Sequence, residues 1–180
     1  MSAILANIGQ NRLQAVWSIV QIATGAFLLA LCAQIKIPLP FTPIPLTLQT
    51  LMVMLLGCQM GSKQGTASVA LYCTAALFGL PVLAGGRSDM LWLITPPAGY
   101  LIGMMVQAYL VGLIAEKGLH RNSTVMFFSL LLACFAQLAI GSAWLGVFIG
   151  FKPALIAGIF PFVPGEILKV MAVVALRKYL

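Results

Sequence analysis

The stretch TVMFFSLLLACFAQLAIGSAWLGVFIG, residues 124–150, runs for 27 positions without a charged side chain. A helix needs about 20 apolar residues to cross roughly 30 Å of hydrocarbon, so this run is long enough to cross with a tilt. On either side the pattern recurs. Apolar runs occupy roughly Leu13–Ala33, Leu46–Met60, Thr66–Leu83, Pro96–Ala115 and Ala154–Leu176. A soluble core hides one such helix, but a chain of 180 residues cannot enclose six of them. Hydrophobic residues make up 62% of the chain and charged residues 7%, against about 25% charged in soluble domains. Too little polar surface remains for a water-exposed shell. The expected fold class is an all-α membrane protein: a bundle of six transmembrane helices with a proline-rich extracellular loop between helices 1 and 2. It forms a single domain over residues 1–180.

The same composition excludes several functions. The net charge is +7, but the basic residues are scattered singly between apolar spans, with no stripe for nucleic acid. They read as loop charges that set topology. Cys32, Cys58, Cys73 and Cys134 form no CxxC pair and sit in apolar runs, so small-hydrophobe packing is expected rather than a metal site. His120 is the sole histidine and makes no catalytic pair. Gly61, Ser62, Lys63 and Gly65 form a turn that lacks the spacing of a phosphate-binding loop. Neither enzyme, cofactor nor metal is implied. The first apolar stretch is too long for a signal peptide and has bulky Leu31 near the place a cleavage site would need a small residue. It reads as a retained first helix.

Arg12, Lys63, Lys117, Arg121, Arg177 and Lys178 fall on the terminal side, and Lys36, Arg87 and Lys152 on the other. The positive-inside rule then puts both termini in the cytoplasm. The proline-rich loop and the loop AGGRSDMLW, residues 84–92, come together outside. Pro38, Pro40, Pro43 and Pro45 forbid a helix between the first two spans. Yet IPLPFTPIPL, residues 37–46, is strongly apolar, so it is expected to fold back over the bundle mouth as a lid. A stiff interfacial linker is the plainer alternative.

Glu166 and Lys169, three apart, share one helix face. A charge in hydrocarbon costs several kcal/mol or more unless it is paired or faces water. Two readings stand: a self-satisfied structural ion pair, or a polar site lining a cavity. Pro161 and Pro164 favour the second, by opening the helix and freeing carbonyls. In the outer loop Arg87 is the candidate for a ligand carboxylate, because its planar fork matches one. Its neighbours Gly86 and Asp89 join the candidate set, although Arg87 and Asp89 also read as a solvated loop pair. Gln49 and Tyr100 are candidate wall residues. Ala26 and Ala30, one turn apart, let another helix approach closely, whether within the chain or from a partner. These residues describe an outer pocket for a small amphipathic acid.

Four motifs then resemble the BioY family, in that family's order. They are Ile37-Pro38-Leu39-Pro40 with Thr42 through Thr50; Tyr72 with Phe78 through Gly86; Pro96 with Gly99 through Gly103; and Pro164 through Lys169. The resemblance covers nearly the whole chain. It implies a biotin-binding S-component, the substrate-specific subunit of an energy-coupling-factor vitamin transporter, capturing biotin at the outer face of the cell (inner) membrane. It implies as partners a coupling subunit and two ATPase subunits, although some family members occur without dedicated ATPases. By analogy Glu166 takes the ureido N–H and Lys169 the ureido carbonyl, or orients Glu166; Arg87 takes the carboxylate. The alanine-rich first helix resembles the docking surface for the coupling subunit, which makes Ala26 and Ala30 its candidates. Two positions depart from the family pattern: Glu166 stands where Asp is usual, and Pro97 where Thr is usual. The alternatives are an S-component-like transporter for another small carboxylate, and a facilitator that needs no partner.

Overall fold

The computed structural model of the chain describes residues 2–40, 42–88 and 91–179. Asp89 lies outside them, as does the side chain of His120. The order is α1 (Ser2–Gln34), β1 (Lys36–Ile37), β2 (Leu46–Thr47), α2 (Gln49–Leu77), α3 (Ala98–Glu116), α4 (Ser123–Ile149), α5 (Phe151–Gly158) and α6 (Val163–Ala175), with three short 3-10 turns. Three helices are long and apolar enough to cross a bilayer: Arg12–Gln34 within α1, α3 and α4. The bent pair formed by α5 and the segment from Val163 makes a fourth. Leu13, Trp17, Phe27, Phe128, Leu132 and Val147 all point outward, an apolar exterior that suits lipid rather than water.

α2 is one helix only in name. In a straight helix Gln49 and Tyr72 would stand about 34 Å apart, yet the Gln49 side chain donates to the Tyr72 hydroxyl at 2.9 Å. The chain reverses at Gly61, whose φ of +77° lies in the region that only glycine enters freely. Two antiparallel limbs result, residues 49–60 and 62–77, which correspond to the expected second and third spans joined at the glycine-rich turn. Gly57 and Gly65 bring the limbs into backbone contact, and a side chain at Gly112 of α3 would strike the Ser62 backbone. The reversal orphans the first N–H of the second limb. Glu116 satisfies it, accepting from the Ser62 N–H at 2.7 Å and its hydroxyl at 2.8 Å.

The last span also differs in detail. The break after α4 falls at Gly150 rather than at Lys152-Pro153, and Pro153 sits inside the first turn of α5. Proline is tolerated there because the first-turn N–H groups have no intrahelical partner. α5 then ends at Gly158, and α6 leaves at 43° with Pro164 in its own first turn.

Ala26 does not face outward. It is 8% exposed, in a core with Leu29, Ala33, Val53, Leu56 and Val69, and Ala30 packs on the same core. The small residues let α1 approach α2, where Gly25 abuts Ser68. Within the chain the close approach of Ala26 and Ala30 is to α2, and Ala30 remains partly exposed.

Candidate functional site

A cavity of about 430 Å³ opens where α1 ends and α2 and α3 begin. This lies within the ~300–1,000 Å³ range of small-molecule sites. Pro38, Leu39, Thr42, Pro43, Ile44 and Pro45 supply one wall. The proline-rich segment is thus part of the cavity, not a free loop. The two-residue ladder of β1 and β2 closes its ends, pairing Lys36 with Thr47. Ile44 anchors it in a core with Tyr100, Leu138, Leu145, Ala154 and Phe162. The opposite wall is Tyr72, Trp92, Tyr100, Leu101 and Met104.

The polar atoms on these walls are mostly committed. Gln49 is buried, donating to Tyr72 and accepting from the Thr47 hydroxyl at 3.2 Å. Trp92 donates its indole N–H to the Cys73 carbonyl at 3.2 Å. Tyr100 donates to the Gly158 carbonyl at 2.9 Å. That carbonyl lies at the end of α5, so the bend does free a backbone acceptor, and an aromatic hydroxyl takes it.

Two cations stand at this cavity with no described acid paired to them: Arg87 and Lys36. Arg87 is placed by a tight turn in which Leu83 donates its N–H to the Arg87 carbonyl at 3.2 Å. Gly85 and Gly86, with φ of +81° and +69°, make that turn possible. Gln34 of α1 ties it down by donating to the Leu83 carbonyl at 3.4 Å. Lys36 lies across Gly85 so closely that any side chain there would strike its ammonium. Gly86 shapes the turn without lining the cavity.

Glu166 and Lys169 are elsewhere. Neither lines this cavity. Lys169 Nζ donates to Glu166 Oε1 at 2.7 Å, with side chains 11% and 3% exposed. Thr50 bridges them: its hydroxyl donates to Glu166 Oε1 at 2.8 Å and accepts from Lys169 Nζ at 2.7 Å. Glu166 sits in the first turn of α6, where the helix dipole favours a carboxylate. Its Oε2 is buried without a partner, facing Leu131, Cys134, Phe135, Leu138 and Val163 in a recess with no room for water. Leu46 packs on Gly165, beside it. The expectation that the pair opens onto the outer cavity is corrected for this arrangement of the chain. A hydroxyl from α2 bridges the pair at Oε1 and Nζ, while Oε2 is left without a partner. The two sites are still neighbours in sequence, since Gln49 lines the cavity and Thr50 holds the pair.

Of the candidates, then, Gln49, Arg87 and Tyr100 meet at one cavity, with Gly86 beside it. Tyr72 and Thr50 fall in the resembling motifs but were not singled out as site residues, and Lys36 and Trp92 carry no motif signal of their own. The nearest hints were a lysine at the mouth of an apolar loop and a second polar residue next to Gln49.

Such features define a multi-pass helical membrane protein with a ligand-sized, apolar-walled and cation-rimmed cavity at one end of its bundle. Residues 7–180 match the BioY family, and the chain belongs to it. It is 35% identical over 164 residues to the biotin transporter BioY of Thermotoga maritima, covering 87% of this chain and 93% of that one. To the biotin transporter BioY of Rhodobacter capsulatus it is 37% identical over 161 residues, covering 82% and 83%. Among solved structures, the S-component for biotin from an ECF-type ABC transporter superposes with a TM-score of 0.83 at 26% identity. That match covers 92% of this chain and 91% of the other.

Proposed function

We propose that this chain captures biotin from outside the cell and serves as the substrate-specific subunit of a vitamin transporter. The observation that carries the reading is the cavity itself, with apolar walls for a hydrocarbon tail and thioether ring and with Arg87 and Lys36, paired to no acid among the described residues, to meet a carboxylate. Relatives bearing the biotin-transporter name across most of their length support the choice of ligand.

In this reading the chain crosses the membrane six times, with both termini in the cytoplasm and the proline-rich loop outside. Arg87 holds the carboxylate. Gln49 and Tyr100 line the walls, and Gly86 and Asp89 belong to the loop that presents Arg87. Glu166 accepts from the ureido N–H groups and Lys169 donates to the ureido carbonyl, once the ligand reaches them. A coupling subunit and two ATPase subunits supply the energy. They dock on the first helix, where Ala26 and Ala30 are the candidates.

Calorimetric titration of the purified chain with biotin tests the ligand, with saturation expected at or below micromolar concentration. No binding at micromolar biotin overturns the assignment. Uptake of biotin into liposomes bearing this chain alone would replace the capture subunit by a self-sufficient facilitator.

A further inference from the structure

Thr50 lines no part of the cavity, yet its hydroxyl makes two short hydrogen bonds to a charged pair more than a hundred residues away. It offers one donor, to Glu166, and one acceptor, to Lys169. A ureido edge offers the same complement, an N–H beside a C=O. Building on the proposed role of Glu166 and Lys169 as the ureido partners, we propose that Thr50 is an internal place-holder. It occupies the pair in the ligand-free protein and is displaced by the head of the ligand.

Three observations support this. First, one oxygen of the pair is already taken: Glu166 Oε1 accepts from both the Thr50 hydroxyl and Lys169 Nζ. A ligand that engages Oε1 and Lys169 therefore exchanges hydrogen bonds with Thr50, while Oε2 is the acceptor left without a partner. Second, without the hydroxyl a buried carboxylate and ammonium would each lose a partner, and unmade hydrogen bonds to buried charges are costly. The place-holder thus stabilises the unliganded bundle. Third, Thr50 follows Gln49 in the first turn of α2. A ligand that engages the cavity wall at Gln49 thereby acts on the same backbone turn that carries Thr50.

The consequence is selectivity. A ligand offering an adjacent donor and acceptor replaces what Thr50 provides. One lacking the carbonyl, such as the diamine analogue of biotin, leaves Lys169 short of a partner and does not displace the hydroxyl.

Thr50→Val keeps the shape and removes both functions of the hydroxyl. In calorimetry on the full chain, biotin should bind Thr50→Val about five- to tenfold more tightly, the factor for one hydrogen bond lost from the competing state. In a thermal melt the unliganded variant should lose stability while the rise in Tm caused by biotin grows. Thr50→Ser should match the parent in both. Thr50→Ala is read as Thr50→Val is, and covers impaired folding of the branched variant. Unchanged or weaker binding in Thr50→Val, with Glu166→Gln still weakening biotin, overturns the place-holder alone. Indifference of biotin affinity to both Glu166→Gln and Thr50→Val overturns the ureido assignment beneath it.

Discussion

Lys36 and Arg87 stand at the cavity, exposed and without a described ion-pair partner. Glu166 and Lys169 lie buried, joined to each other and to Thr50. The chain has only three acids, so this division of charge is informative. A cation at a wet rim keeps its hydration and waits for an anion at little cost. A charge in the interior must bring its partner with it, because desolvation costs several kcal/mol per ion. The open cluster is therefore free to bind and contributes little to folding. The closed cluster contributes to folding whenever it is complete, and must be rearranged to bind.

Five variants can break or sharpen that contrast. The largest effect is expected from Lys169→Met, which leaves Glu166 buried and uncompensated. It should cost about 3–5 kcal/mol, read as a fall in Tm. The double change Glu166→Leu with Lys169→Leu should restore most of that stability yet abolish biotin binding. Retained binding in the double variant would reduce the pair to packing. Glu166→Gln should weaken biotin by about 1.5–3 kcal/mol, the range for a hydrogen bond to a charged group, and calorimetry that shows no change would assign the carboxylate to structure alone. Arg87→Ala should weaken biotin by about 1–2 kcal/mol, less because solvent screens the rim, and should barely affect a biotin amide. Equal losses for acid and amide would contradict the carboxylate role. The smallest effect is expected from Lys36→Ala, about 0.5–1 kcal/mol. That loss should shrink further at high salt, where exposed charges are screened; a salt-independent loss would mean that Lys36 acts by packing.

Much of this was legible before the fold was seen, and what was not has physical causes. The length of residues 124–150 and the scarcity of charge are properties of the chain itself, so α4 and the membrane class could be read directly. Gln49, Arg87 and Tyr100 could be picked out because a polar side chain among apolar ones is conspicuous in one dimension. Alanines at helical spacing look the same whether the approaching helix belongs to the chain or to a partner, so the packing of Ala26 against α2 was not legible. Nor does any local pattern reveal that Thr50 reaches Glu166, because that contact joins residues 116 apart. The reversal at Gly61 was visible only as a glycine-rich turn. That it folds one span back onto the next depends on Gly57, Gly65 and Gly112 meeting in space.

That reversal bears on how the protein is made. At 1.5 Å per residue, the limbs of residues 49–60 and 62–77 are about 18 Å and 24 Å long, both shorter than the roughly 30 Å hydrocarbon layer. If the six-pass reading holds, neither limb can halt in the translocation channel by itself, and the two must enter the lipid together as a preformed wedge. Because α1 already anchors the chain, the readout must be the second segment itself: in a chain stopped just after Gly61 a membrane-impermeant thiol reagent should reach Cys58, whereas in one extended past Leu77 it should not. Firm anchoring of the shorter chain's second segment would show that biogenesis proceeds one limb at a time.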